Sequence, residues 1–267
     1  KDDISENIDI VNHFVMDTLS TPFRIPLWAP VPSHLHFKKA LKKLDVIIYG
    51  LIEARRKSGK GNYDLLSMLI EARDEETGER MNDKQLRDEL MTLFLAGSET
   101  SSNALSWTSF LLAKHPEIKH KVYEEVHREI GYNSMNAENI LKLKYTSMVM
   151  QESMRLYPPA WVIGREALTD DFILRGKIKK RTQLYISPFV IHRNPRYWAE
   201  PEKFIPERFS PEKNKTRHKF TYFPFGAGPR LCIGNNFAIM EITIALALIA
   251  QNRIEFELDK EDVGMEP

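Results

Sequence analysis

A helical stripe that runs unbroken for about eight turns is what most limits how this chain can fold. Leu86, Leu90, Leu93, Phe94, Gly97, Ser101, Ala104, Leu105, Thr108 and Leu112 follow the three-and-four spacing that keeps side chains on one face of an α-helix. Asn82, just upstream, suits a helix N-cap, where its side chain accepts a hydrogen bond from a first-turn amide. A helix of that length crosses a whole domain, so the other elements must pack around it.

Its neighbours also read mainly as helix. Phe37, Leu41, Leu44, Ile48, Leu51 and Ile52 form an apolar face opposite Lys38, Lys39, Lys42 and Lys43, which read as a solvated side. Pro22, Pro26, Pro30 and Pro32, with Phe23 and Trp28, mark a loop between two helices. Gly59-Lys60-Gly61 precedes a short helix through Leu65, Leu66 and Leu69, and Asp74 to Gly78 is a polar turn. Helices are expected near 117–130 and 146–156, stopped by Gly131 and by Pro158-Pro159. Trp161 to Ala167, Phe172 to Leu174 and Gln183 to Ser187 are short β-rich runs, suggesting a small sheet attached to the helical body. Residues 194–222 read as an irregular meander, and a last helix begins near 233. The expected class is therefore mainly α with a small β region.

Of the 267 residues 42% are hydrophobic and 28% charged, the make-up of one soluble domain, expected to span 1–267. Lys and Arg total 38 against 37 for Asp and Glu, so no overall field favours nucleic acid, and any charged partner must meet a local patch. A single cysteine allows no internal disulfide and gives no sign of an oxidising compartment, so a cytoplasmic or cytoplasm-facing location is expected. The apolar run from Phe237 to Ala250 contains Glu241 and is too short to span a bilayer. The start, Lys1-Asp2-Asp3-Ile4-Ser5, is neither an initiator methionine nor a signal peptide, so the chain is expected to begin mid-protein, with any anchor upstream of it.

The only cysteine sits in Phe225-Gly226-Ala227-Gly228-Pro229-Arg230-Leu231-Cys232-Ile233-Gly234, a glycine-rich turn opening onto a helix. Glycines let backbone approach a flat ligand closely, and the amides of a helix N-terminus favour a thiolate over a thiol. The segment resembles the haem-ligand loop of the cytochrome P450 family, matching Phe-x-x-Gly-x-Arg-x-Cys-x-Gly at Phe225, Gly228, Arg230, Cys232 and Gly234. The resemblance implies haem b with Cys232 as thiolate ligand to the iron, Phe225 packed beside the sulfur, Arg230 on a propionate, and Gly226 and Gly234 against the porphyrin.

Ala96-Gly97-Ser98-Glu99-Thr100-Ser101 lies mid-way along the long helix, where a glycine costs about 1 kcal/mol of helix propensity. Positions 97, 100, 101 and 104 share a face of small residues. The segment is similar to the family's oxygen-binding helix. By that resemblance Ala96 and Gly97 border the cofactor, while the acid-alcohol pair Glu99 and Thr100 helps deliver protons to iron-bound dioxygen.

Glu152 and Arg155 match the family's Glu-x-x-Arg, and Pro206-Glu207-Arg208-Phe209 its meander motif. The resemblance implies that Glu152, Arg155 and Arg208 form a buried structural clamp behind the haem loop, and that Arg165 meets the second propionate. His192 is assigned structure rather than ligation. The pairs His34/His36 and His115/His120 lack Cys, Asp or Glu at metal-ligand spacing, against a zinc site.

The resemblance covers essentially the whole chain in the family's order and implies insertion of one atom of dioxygen into an organic substrate. Electrons would come from NAD(P)H through a reductase or ferredoxin, for which Lys213, Lys215, Arg217 and Lys219 are the candidate docking patch. Glu at position 99, with the pattern Leu90 to Trp107, is closer to fatty-acid and related lipid hydroxylases, so an apolar substrate is expected, walled by Trp161, Val162 and Ile163. A haem-thiolate isomerase or dehydratase is one alternative, opposed by the presence of Glu99-Thr100; a non-catalytic haem- or partner-binding fragment is another. The family's N-terminal part has no counterpart, and the chain stops at Glu266-Pro267 where a final β hairpin is usual. The 267 residues alone are expected not to form a stable, competent enzyme.

Overall fold

The computed structural model describes residues 2–21, 25–58, 64–173 and 176–258. Pro22, Phe23, Gly59-Lys60-Gly61, Leu174 and Glu266-Pro267 lie outside the described residues. Backbone contacts divide the chain into two compact units, 1–98 and 99–267.

The first unit holds α1 (Asp2–Ser20), α2 (Pro32–Ser58), α3 (Leu65–Glu71) and the first half of α4 (Asp83–Lys114). The amphipathic pattern places Ala40, Leu44, Ile48 and Ile52 of α2 in one core with Ile8 and Val11 of α1 and Leu86 and Met91 of α4. Phe14 stacks on Phe37, which packs against that core, at 4.2 Å. Lys38, Lys39, Lys42 and Lys43 are exposed. Asn82 caps α4 reciprocally: its Oδ1 accepts the Gln85 amide at 2.9 Å, and its own amide donates to Gln85 Oε1 at 3.0 Å. Asp64 caps α3 by accepting the Ser67 amide at 3.0 Å, and the hydrogen bond from Arg55 holds its carboxyl down at about 2.

The second unit is a helical bundle of the rest of α4 with α5 (Pro116–Glu129), α6 (Ala137–Ile140), α7 (Lys144–Leu156) and, after the β region, α10 (Asn235–Gln251). Leu111, Val122, Val126, Val149, Met150, Leu246 and Ala247 are among its buried side chains. Glu125 of α5, itself buried, accepts the Tyr145 amide at 2.7 Å and the Thr146 amide at 2.8 Å, so a side chain from another helix caps α7.

Between α7 and α10 come β1 (Ile163–Glu166), β2 (Asp171–Ile173), β3 (Gly176–Ile178), β4 (Gln183–Ile186), α8 (Pro188–Ile191) and α9 (Pro211–Thr216). One small sheet was expected; two separate antiparallel ladders are found, β1 with β4 and β2 with β3. The break falls at Arg181, whose φ of 70° turns the chain while its amide donates to the Ala167 carbonyl at 2.8 Å. The meander is also more regular than expected, containing α9 and a tight helical turn over Pro206–Phe209. Among the described residues no helix is long and apolar enough to cross a membrane.

Candidate active site

Phe223 starts the cysteine turn. Its carbonyl accepts the Gly226 amide, and the Phe225 carbonyl accepts the Cys232 amide, both at 3.0 Å. Gly226 and Gly228 take φ of 74° and 75°, a conformation any side chain would strain. A Cβ on Gly226 would lie 3.7 Å from Cδ1 of Ile163, so the turn is seated on β1. Ile163 and Arg165 alternate onto one face of that strand, which places Arg165 on the side that touches the turn. Arg165 spends one N–H on the Gly164 carbonyl at 2.8 Å. The Cys232 thiol is exposed, flanked in sequence by exposed Leu231 and Ile233, the latter 90% accessible, with exposed Phe237 in the first turn of α10.

Ala96, Gly97, Glu99 and Thr100 are all exposed, and a Cβ on Gly97 would meet no heavy atom within 4 Å. Ala96 and Gly97 close the first unit; Glu99 and Thr100 open the second. Either side of this stretch, Thr92 and Thr108 donate to the carbonyls of Asp88 and Ala104 at 2.8 and 2.7 Å, the hydroxyl-to-preceding-turn bond that small hydroxylic residues make in helices.

Glu152, Arg155 and Arg208 meet. Arg155 grips Glu152 with two parallel bonds of 2.8 and 2.9 Å, and Arg208 Nε approaches the same carboxylate at 3.2 Å. Glu152 and Arg155 side chains have no accessible surface. Arg155 also donates to the carbonyls of His192, Pro201 and Lys203, and Glu152 accepts the Ile205 amide at 2.9 Å, so the pair ties α7 to the meander. His192 is buried, and its Nε2 accepts the Phe223 amide at 3.0 Å. Burial, then the charge of Arg155, push this imidazole down to about 3.

Arg217, expected in an exposed patch, is turned inward. Its guanidinium lies 4.4 Å from the Phe209 ring centre and 4.8 Å from that of Trp198, and burial lowers its pKa. Lys213, Lys215 and Lys219 are exposed. Sequence reading missed two partners of the turn: the Nε2 of His192 and Tyr222, whose hydroxyl donates to the Gln151 carbonyl at 3.0 Å. No local pattern signals either bond, because each partner is more than 30 residues away in sequence.

The thiol's surroundings fit haem. A Cβ on Gly228 or Gly234 would meet no heavy atom within 4 Å, leaving room for a flat group near the sulfur. The Arg230 guanidinium makes no hydrogen bond or ion pair, and Arg165 no ion pair, among the described residues, so both suit carboxylates at a porphyrin rim. An exposed cysteine between apolar residues on a glycine turn, two arginines without ion pairs and a buried Glu-Arg-Arg cluster together define a haem-thiolate class of protein.

The chain belongs to the cytochrome P450 family, whose model matches residues 1–266. Members of that family bind haem b through a cysteine thiolate. The chain is 37% identical over 222 residues to cyclooctatin synthase of Streptomyces melanosporofaciens, covering 83% of this chain and 48% of that protein. Pentalenene oxygenase of Streptomyces avermitilis is 32% identical over 231 residues, covering 86% and 51%. The crystal structure of the cytochrome P450DA heme domain matches with a TM-score of 0.83 at 30% identity, over 94% of this chain and 55% of that one. The chain thus spans about half the length of the relatives it matches.

Proposed function

We propose that the whole protein is a haem-thiolate monooxygenase, in which residues 1–267 belong to one haem-binding domain. It inserts one atom of dioxygen into an apolar organic substrate of the lipid class. The observation that carries this reading is the exposed Cys232, between exposed Leu231 and Ile233 in sequence, on a glycine turn seated against the strand of Arg165. In this reading Cys232 ligates the iron, Phe225 packs beside the sulfur, and Arg165 and Arg230 hold the propionates. Gly226 and Gly234 let backbone lie close to the ring, and the Glu152-Arg155-Arg208 cluster fixes the turn from behind. When bound, the haem supplies activation of dioxygen, with electrons from NAD(P)H through a reductase or ferredoxin. Thr100 would hold a proton at Oγ1, and the Glu99 carboxyl group would resupply it.

Two supports favour the lipid class. Glu99, in place of Asp, and the pattern Leu90 to Trp107 resemble fatty-acid and related lipid hydroxylases. Pentalenene oxygenase, a relative, is named for pentalenene. A cytoplasmic or cytoplasm-facing location fits the single, unpaired cysteine. The test is turnover of the whole protein with NAD(P)H, an electron-transfer partner and oxygen-18 gas, on long-chain fatty acids and polycyclic alkenes. One labelled oxygen in the product is expected; product carrying only solvent oxygen, or product formed without dioxygen, would contradict the reading.

A further inference from the structure

We propose that His192 is a positioning residue for the cysteine turn, which it places by accepting the Phe223 amide on Nε2; this rests on the haem-thiolate reading of that turn. His192 is joined to the rest of the site at both ends. Its backbone carbonyl takes Arg155 Nη1 at 2.8 Å, and its ring takes the Phe223 amide at 3.0 Å. The first bond ties it to the buried Glu152-Arg155 pair. The second ties it to the residue whose carbonyl holds Gly226, two positions before the carbonyl that holds the Cys232 amide. The neighbouring residue is pinned as well: Tyr222 donates to the Gln151 carbonyl, and its ring centre lies 5.2 Å from that of His192.

A buried ring that only filled space would need no particular nitrogen. Here Nε2 must be bare to accept an amide, so the imidazole proton belongs on Nδ1, which has no hydrogen-bond partner among the described residues, and the Phe223 bond alone specifies the tautomer. The Phe223 ring stands edge-on to the imidazole at 5.3 Å and 77°, which orients the ring plane. Shape and acceptor can be separated. His192→Phe keeps an aromatic ring and removes the acceptor; His192→Gln removes the ring and keeps an acceptor at a similar reach.

In the whole protein, His192→Phe should speed amide hydrogen exchange at Phe223, Gly226 and Cys232 by about tenfold, because the amide it orphans no longer holds the turn closed. It should also move part of the reduced, carbon monoxide-bound protein out of the thiolate-type band, and His192→Gln should bring both readouts back towards the parent. If His192→Phe folds with parental exchange at Cys232 and a full thiolate band, the ring only fills space and the proposal is wrong. Nitrogen-15 NMR of the histidines in the unaltered protein decides the matter even if that variant fails to fold. An Nδ1–H tautomer coupled through the bond to the Phe223 amide is expected; an Nε2–H tautomer overturns it. A parent protein with no thiolate band would instead overturn the haem reading, leaving the exchange and tautomer results to judge His192.

Discussion

Glu152 has both carboxylate oxygens engaged, by two bonds from Arg155, one from Arg208 and one from the Ile205 amide, and no accessible surface. Glu152→Gln would turn an amide N–H₂ towards one guanidinium and leave a buried positive charge without its counter-charge. The expected cost is about 3–5 kcal/mol, read by urea unfolding of the whole protein; a change of less than about 1 kcal/mol would show the cluster to be dispensable. Thr100 is exposed on α4, so Thr100→Ala should leave haem content unchanged. Its expected effect is on proton delivery: less product and more peroxide per NAD(P)H consumed. Unaltered coupling would make Thr100 a bystander. At this scale the sequence was readable wherever a residue's meaning is local: Gly226 and Gly228 announce a turn that needs positive φ, and Asn82 announces a cap. Arg217 was not, because its place over Phe209 and Trp198 depends on where the chain folds back.

The helices and their connections carry the pH behaviour. His192 closes α8, with Arg155 of α7, Arg193 beside it in the chain and Tyr222, just before the turn, around its ring, and Tyr222 is itself kept neutral by burial. Its pKa falls from 6.5 to about 3 on folding, so between those values the unfolded chain binds the extra proton. Stability should therefore fall as pH drops from 6.5 towards 3, by about 2 kcal/mol at pH 5, and be insensitive to this group above 6.5. Urea unfolding at pH 7 and pH 5 tests this: the loss should be smaller in His192→Gln by about that amount, and an equal loss would remove His192 as its source. In α9 and just after it, Lys213, Lys215 and Lys219, the candidate docking patch, are exposed. Reversing the three charges should slow haem reduction at low salt and weaken its salt dependence in stopped-flow measurements; unchanged rates would refute a docking role. Periodicity made α2, α4, α5 and α7 legible from their buried faces. The division into two ladders was not legible, since it turns on the left-handed conformation of Arg181, a residue type with no preference for it.

Across the whole molecule, the order of elements places a long helix, a Glu-Arg helix, small β ladders, a meander and a cysteine turn on a final helix. The cysteine motif and its flanking glycines made the family legible in the sequence, and the family model and the heme-domain structure agree with it. Hydrogen bonds between distant segments, such as His192 to Phe223, became visible only once the chain was folded. On the proposed reading, Cys232 holds a haem iron through its thiolate. The most direct measurement is the carbon monoxide difference spectrum of the reduced whole protein and of its Cys232→Ala variant, with circular dichroism to confirm the fold. A thiolate-type band is expected in the parent, with its complete loss in the folded variant; a parent without the band, or a variant that keeps it, would show that Cys232 is not the iron's ligand.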